Sequence, residues 1–295
     1  MNQAHTLSSP SYRPLAGMAW GFLAVLLFSA GLPATRVSVD AGMSGLFTGA
    51  GRAALGALFA AVLLLLTRQR WPTPQQCARL AVVALGVVFG YPLLSSVALE
   101  TVSATHGVLV TALLPLCTAL FGAFLCRHRP RAGFWLCAVS GTVLVLFYAG
   151  RQAEGQWQLA DLWLLLSCVL CGLGYAEGAR LTKELGSWQV ICWALVLSLP
   201  ILLPIVWLTW PTREVALSGW LSLLYLGSAS MFIGFFFWYR GLAIGGVTLV
   251  SQIQLLQPFS ALWLSVLLLG EPVSAQAIWI CLAVVACVAL GRRYA

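Results

Sequence analysis

The chain has 295 residues, 61% of them hydrophobic and only 8% charged, with a mean hydropathy of +0.93. That balance excludes an ordinary soluble domain, in which about 25% of residues carry charge. The 16 Lys and Arg outnumber the 8 Asp and Glu, for a formal charge of +8. With almost no chain outside apolar runs, this excess reads as membrane topology and not as affinity for nucleic acid.

A membrane-crossing helix needs about 20 mainly apolar residues. Such runs predict ten helices, at 16–38, 45–67, 76–97, 102–125, 131–149, 159–182, 187–209, 215–240, 246–269 and 274–291. A β-barrel is excluded, because its strands alternate apolar and polar residues. The first run follows Arg13 and ends near small residues, as a signal peptide does. Its apolar character continues to Val39, however, and it has a counterpart later in the chain, so it is read as a helix that stays. Residues 1–15 form a short cytoplasmic segment.

Helix one carries Trp20. Arg36, Asp40 and Arg52 are expected near the outer ends of helices one and two, where charge pairing would staple those ends together. In helix three Pro92 should bend the axis beside Tyr91. Glu100, in the next outer turn, is expected to be solvated or to cap a helix. Helix four opens with His106, passes Thr111 and meets Pro115 near its middle. Helix six contains Trp163, Tyr175 and Glu177, the last three residues before Arg180 and able to pair with it. Cys168 and Cys171 are a mid-helix CxxC without a second ligand pair, and they read as small packing residues; neither a metal nor another cofactor is expected. Helix eight holds Trp238 and Tyr239.

Helix nine is the most informative. In "SQIQLLQPFSALWLSV" three amides precede Pro258 inside an apolar run. Helical spacing puts Ser251, Gln254 and Pro258 on one face, with Gln257 adjacent and Gln252 directed elsewhere. Amides are costly toward lipid. They either line a polar cavity or bond between helices.

Shifting the chain by 143 residues lays Pro115 on Pro258, Thr111 on Gln254 and Leu99 on Leu242; a shift of 144 lays Arg36 on Arg180. The chain is therefore expected to hold two five-helix units, 16–149 and 159–291. An odd helix number makes the second enter the membrane from the opposite side. Matched bends at Pro115 and Pro258 then face each other across a pseudo-two-fold axis and open a central cavity. "GMAWG", "GLFTG", "GVVFG" and "GLAIG" place small residues four apart and predict close helix contacts. With the N-terminus cytoplasmic, most Arg and Lys fall on the inner side. Arg36, Arg52, Arg151 and Arg213 form the outer set.

The stretch "LLLGEPVSAQAIWICLAVVACVAL", the Pro twelve residues before Gly270, "GRAALGALFAAVLLLL" from Gly51 and the two-unit layout resemble the EamA-type drug/metabolite transporter superfamily. In the first unit Arg127 and His128 replace the family-like Gly270 and Glu271 turn. The resemblance implies export of small metabolites from the bacterial inner membrane, and the aromatic-rich composition is similar to the branch that exports aromatic amino acids. On this reading the substrate is a small amphipathic molecule held by Gln254, Gln257, Ser251, Tyr91, His106, Thr111, Trp163, Tyr175, Tyr239 and Trp20. Pro92, Pro115 and Pro258 shape the helices, and Glu177 or His106 would carry any proton coupling. The transporter works as a monomer in the lipid bilayer with both termini inside.

No GxxxxGK[ST] occurs, so energy comes from a gradient. The alternative is export of purines or cationic drugs by proton antiport. An intramembrane enzyme lacks a paired nucleophile and base, and a channel lacks charge rings.

Overall fold

A computed structural model of the chain describes residues 13–125, 131–152, 158–245 and 250–294. Among these residues every regular element is helical, so the chain is an all-α polytopic protein. Seven stretches are long and apolar enough to cross a membrane: Leu15–Asp40, Gly45–Leu66, Pro74–Ala98, Ala104–Leu125, Leu159–Leu185, Ser187–Leu208 and Leu217–Gly245. The helix Ala132–Gln152 and the shorter apolar helices Ile253–Leu269 and Ala275–Gly291 fall where the other three spans were predicted.

Several spans are broken. The first consists of α1 (Pro14–Ser29) and α2 (Gly31–Asp40), which meet at Ala30. The second is α3 (Gly45–Leu66), started by Ser44, whose hydroxyl accepts from the Phe47 N–H. In the third, a π-helical segment Ala84–Gly90 separates α4 (Pro74–Val83) from α5 (Tyr91–Ala98). The fourth is split into α6 (Ala104–Thr111) and α7 (Leu114–Leu125). Then come α8 (Ala132–Gln152), α9 (Leu159–Leu185) and α10 (Ser187–Leu208). The eighth span repeats the pattern of the third, with α11 (Leu217–Tyr225), a π segment Leu226–Ile233 and α12 (Gly234–Gly245). The ninth enters as a 3₁₀ turn, Ser251–Leu256, and continues as α13 (Gln257–Leu269), followed by α14 (Ala275–Gly291).

Pro115 occupies the second position of α7, after a gap at Ala112 and Leu113, where the missing N–H is not needed. Pro92 and Pro258 occupy the second positions of α5 and α13, where a continuous helix changes from π or 3₁₀ to α and so accommodates the lost hydrogen bond. The 143-residue shift carries Gly90, the end of one π segment, onto Ile233, the end of the other, and Leu113 onto Leu256. The interruptions therefore recur along with the sequence. The second π segment holds no proline; small residues from Gly227 to Ser230 are its only mark in the sequence.

Packing partners also exchange between the halves. α1 lies along α12, while α9 lies along α5 and the π segment before it; α3 packs on α10 and α8 on α14. The small-residue motifs sit at these contacts. A Cβ added to Gly17 would fall 2.4 Å from the Gly245 Cα, and one on Gly86 would fall 2.3 Å from the Leu170 carbonyl oxygen and 2.8 Å from the Gly174 Cα. "GLFTG" does the same against α5, where Gly45 and Gly49 meet the backbone at Ser96 and Pro92. Replacing Gly86 with Ala should push α9 off its neighbour and cost about 1–3 kcal/mol, as overpacking does. Thermal unfolding in detergent reads this as a lowered midpoint.

Candidate functional site

The breaks in spans four and nine meet, and the first residues of α5, α7 and α13 line a common space. One cavity is bounded by Tyr91, Thr111, Pro115, Gln254, Gln257 and Pro258. A second adjoins it, sharing Phe28, Tyr91, Leu114 and Gln257, and adds Arg52, Cys171, Tyr175, Ser230 and Phe235. Each leaves about 20 Å³ for a water-sized sphere, enough for one or two waters and not for a metabolite. The site is closed.

Its polar groups are short of partners. Gln254 is 1% exposed and neither end of its amide is hydrogen-bonded; the Gln257 Oε1 is unpartnered as well. With both ends of Gln254 open, the shortage does not depend on which amide atom is N or O. The Thr111 hydroxyl donates back along its own helix to the Gly107 carbonyl at 2.8 Å. The second cavity has an aromatic wall, with Tyr175 6.0 Å from Phe235 between ring centres and Phe28 5.2 Å from Phe235.

Arg52 was expected to pair with Asp40 at an outer end. It does not. Asp40 is taken by Arg36, whose Nη2 lies 2.9 Å away and whose Nη1 also donates to the carbonyls of Leu99 and Val102. Arg52 points into the second cavity, 4% exposed, with Nε and Nη1 unpartnered. At eight residues into α3 and 1.5 Å of rise per residue, it lies about 10 Å from the helix end.

Tyr91, Tyr175, Thr111, Gln254 and Gln257 thus converge on the cavities, together with Pro115 and Pro258. Four other expected lining residues do not. Trp20 is 37% exposed on the outer face of α1, against Phe237. Tyr239 is fully buried between helices, its ring filling the space over Gly178. Trp163 packs in the apolar cluster around Leu164 and Leu109. His106 is engaged by Asp161, 2.6 Å from its Nε2, and both are buried. The side chains of Ser251 and Gln252, and the Arg127 and His128 turn, lie outside the described residues.

Asp161 escaped the sequence reading. It sits in the first turn of α9, where its other oxygen accepts from the Gln158 N–H and caps the helix. The His106 pair ties α9 to α6 and so joins the two halves. Glu177 pairs with Arg180 at 2.9 Å, as expected, and also with Arg79, which reaches Glu184 too; this cluster ties α4 to α9 and lies outside both cavities. The two turn carboxylates are caps: Glu271 accepts from the N–H groups of Ala104 and Thr105 at the start of α6, and Glu100 accepts from Gly45 at the start of α3. Cys168 and Cys171 are free and buried.

Residues 15–149 and 158–291 each match the EamA-like transporter family. The chain is 47% identical over 277 residues to an uncharacterized transporter of Bacillus subtilis (strain 168), YdeK, with 93% of this chain and 96% of that protein covered. A crystal structure 22% identical in sequence superposes with a TM-score of 0.68, covering 94% of this chain and 96% of the other, and shares the fold.

Replacing Asp161 with Ala should leave His106 and the Gln158 N–H without this acceptor. The expected cost is about 1–3 kcal/mol, read as a lower unfolding midpoint in detergent; an unchanged midpoint would remove the pair as a staple.

Proposed function

Because the chain belongs to the EamA-like transporter family, we propose that it exports small amphipathic metabolites, aromatic amino acids foremost, by alternating access. The observation that carries this reading is the Gln254 amide: buried, bare at both ends, and facing a cavity at the junction of the two halves. A buried amide without partners is costly. A substrate that bonds to it removes the cost. The phenyl-sized surfaces of Phe28, Tyr175 and Phe235 beside it suit a planar side chain.

The two family matches and the exchanged packing partners support units 16–149 and 159–291 arranged as an inverted pair, which presents one site to either side in turn. The bias of Arg and Lys supports cytoplasmic termini, in the bacterial inner membrane. A single copy encloses both cavities, which supports a monomer as the working unit. Downhill substrate flow supplies the drive.

Proton antiport is the second reading, and His106 with Asp161 is the observation that favours it: a buried titratable pair bridging the halves. Glu177 has less room for such a role, because Arg79 and Arg180 already hold its two oxygens.

In proteoliposomes, labelled phenylalanine should enter saturably and faster against unlabelled phenylalanine inside. Gln254→Ala should slow this counterflow roughly tenfold, the loss of a buried hydrogen bond or two, with equal reconstitution checked by protein content. Counterflow at parental speed would reject the site, and flux without saturation would indicate a pore. A pH gradient that drives the parent but not His106→Gln would establish the second reading.

A further inference from the structure

Among the buried ionisable groups of the described residues, Asp161 is held by His106, and Glu177 is paired with Arg79 and Arg180. Arg52 lacks such a partner. Its guanidinium is 4% exposed, Nε and Nη1 meet no acceptor, and the cavity it faces is lined by tyrosines, a cysteine, a serine, Gln257 and apolar side chains, with no carboxylate among the described residues. Removing a cation from water without a counter-charge costs several kcal/mol. A protein retains such a group where something else supplies the anion.

We infer that Arg52 is the carboxylate anchor of the transport site, so the substrate must carry a carboxylate. This rests on the proposed transport reading and narrows it. A guanidinium offers parallel N–H donors that a carboxylate accepts as a pair, and it stays charged throughout. Gln257, which borders both cavities, and Gln254 in the adjoining one present bare amide oxygens, which accept from an ammonium group but do not repel a carboxylate as an acidic residue would. Donors on one side, neutral acceptors on the other and an aromatic wall between them match an amino acid held by its carboxylate at Arg52 and its ammonium at the amides. A cationic drug meets the wrong charge.

The assignment predicts discrimination at one end of the ligand. The probes are L-phenylalanine, its amide, phenylethylamine and 3-phenylpropionate, with the same four forms of leucine. Binding to the purified full chain in detergent is read by thermal stabilisation. Carboxylate-bearing forms should bind about tenfold or more tighter than the amide and the amine, the effect of a charge-assisted hydrogen bond or two. Arg52→Gln should abolish this preference, and Arg52→Lys, which keeps the charge and loses the fork, should restore part of it.

Amine and amide binding as tightly as the acids, or no binding by any carboxylate, would overturn the assignment. So would an Arg52→Gln protein that keeps the preference. Should that variant fail to fold, the comparison of ligands on the parent protein decides alone. Binding of 3-phenylpropionate with no counterflow of amino acids would reject the amino acid reading and leave Arg52 in place.

Discussion

A backbone group freed inside a membrane-crossing helix needs a partner from protein or from enclosed water, because lipid offers none. This requirement organises the molecule. Spans three, four, eight and nine are each interrupted, and the interruptions correspond between the halves. Their outer faces stay apolar, as at Leu85, Ile233 and Leu256. Their inner sides meet where Tyr91, Leu114 and Gln257, the first residues of α5, α7 and α13, bound shared space. The proline at the second position of each helix fits this arrangement, since it gives up an N–H that would otherwise need an acceptor. A cavity lined with polar groups is thus a consequence of how the chain satisfies its own backbone.

Charge follows the same logic at higher stakes. Arg36 closes one set of turns by donating to the carbonyls of Leu99 and Val102, and Glu271 closes another by accepting from the start of α6. Arg79, Glu177 and Glu184 join α4 to α9, and His106 with Asp161 joins α6 to α9. Each of these groups is bound to something that keeps helices together. Gln254, Gln257 and Arg52 keep unpartnered atoms and all three face the cavities, whereas Ser96, Thr105, Gln189 and Trp238 each bury one unpartnered polar atom away from them. What distinguishes the cavity groups is that they gather around shared space and include a charge, the costliest kind of group to leave orphaned.

The sequence made the helices and the centre legible because both rest on local signals: run length for the spans, and Pro115, Gln254 and Pro258 repeated at a fixed shift for the cavity. It misled where the answer depended on depth or on rotation about a helix axis. Arg52 was assigned to an outer end by counting charges near run boundaries, although eight residues of helix place it well inside. For Trp20 and Tyr239 the sequence points to the cavity and the structure does not, because helices apolar on all sides carry little information about which face looks where. His106 and Asp161 are 55 residues apart. Nothing local in either segment chooses that partner. The capping role of Glu271 is likewise set by a helix start 166 residues away.

Backbone contacts between the halves bear on how tightly the two interlock. α1 meets α12 at Gly17 and Gly245, and α9 meets the π segment of span three at Gly174 and Gly86, with Cα positions close enough to exclude any side chain. These two contacts join equivalent spans under exchange of the halves. Small residues permit this approach, and the gaps beside it are filled by Val250 at Gly21 and Gly245 and by Val87 at Gly174. The heavier interlocks lie toward the ends, in the Arg79 and Glu177 cluster near one end of α9 and in the His106 and Asp161 pair near the other. The Gly17 and Gly245 contact lies at an end of each of its helices and the Gly86 and Gly174 contact near the middle of its spans, so close backbone approach is spread along the bundle while the ionic ties are confined to α9 and its neighbours. Since α9 carries both ties, it is the element that joins α4, through Arg79, to α6, through His106, and so holds the second half against the first along its length.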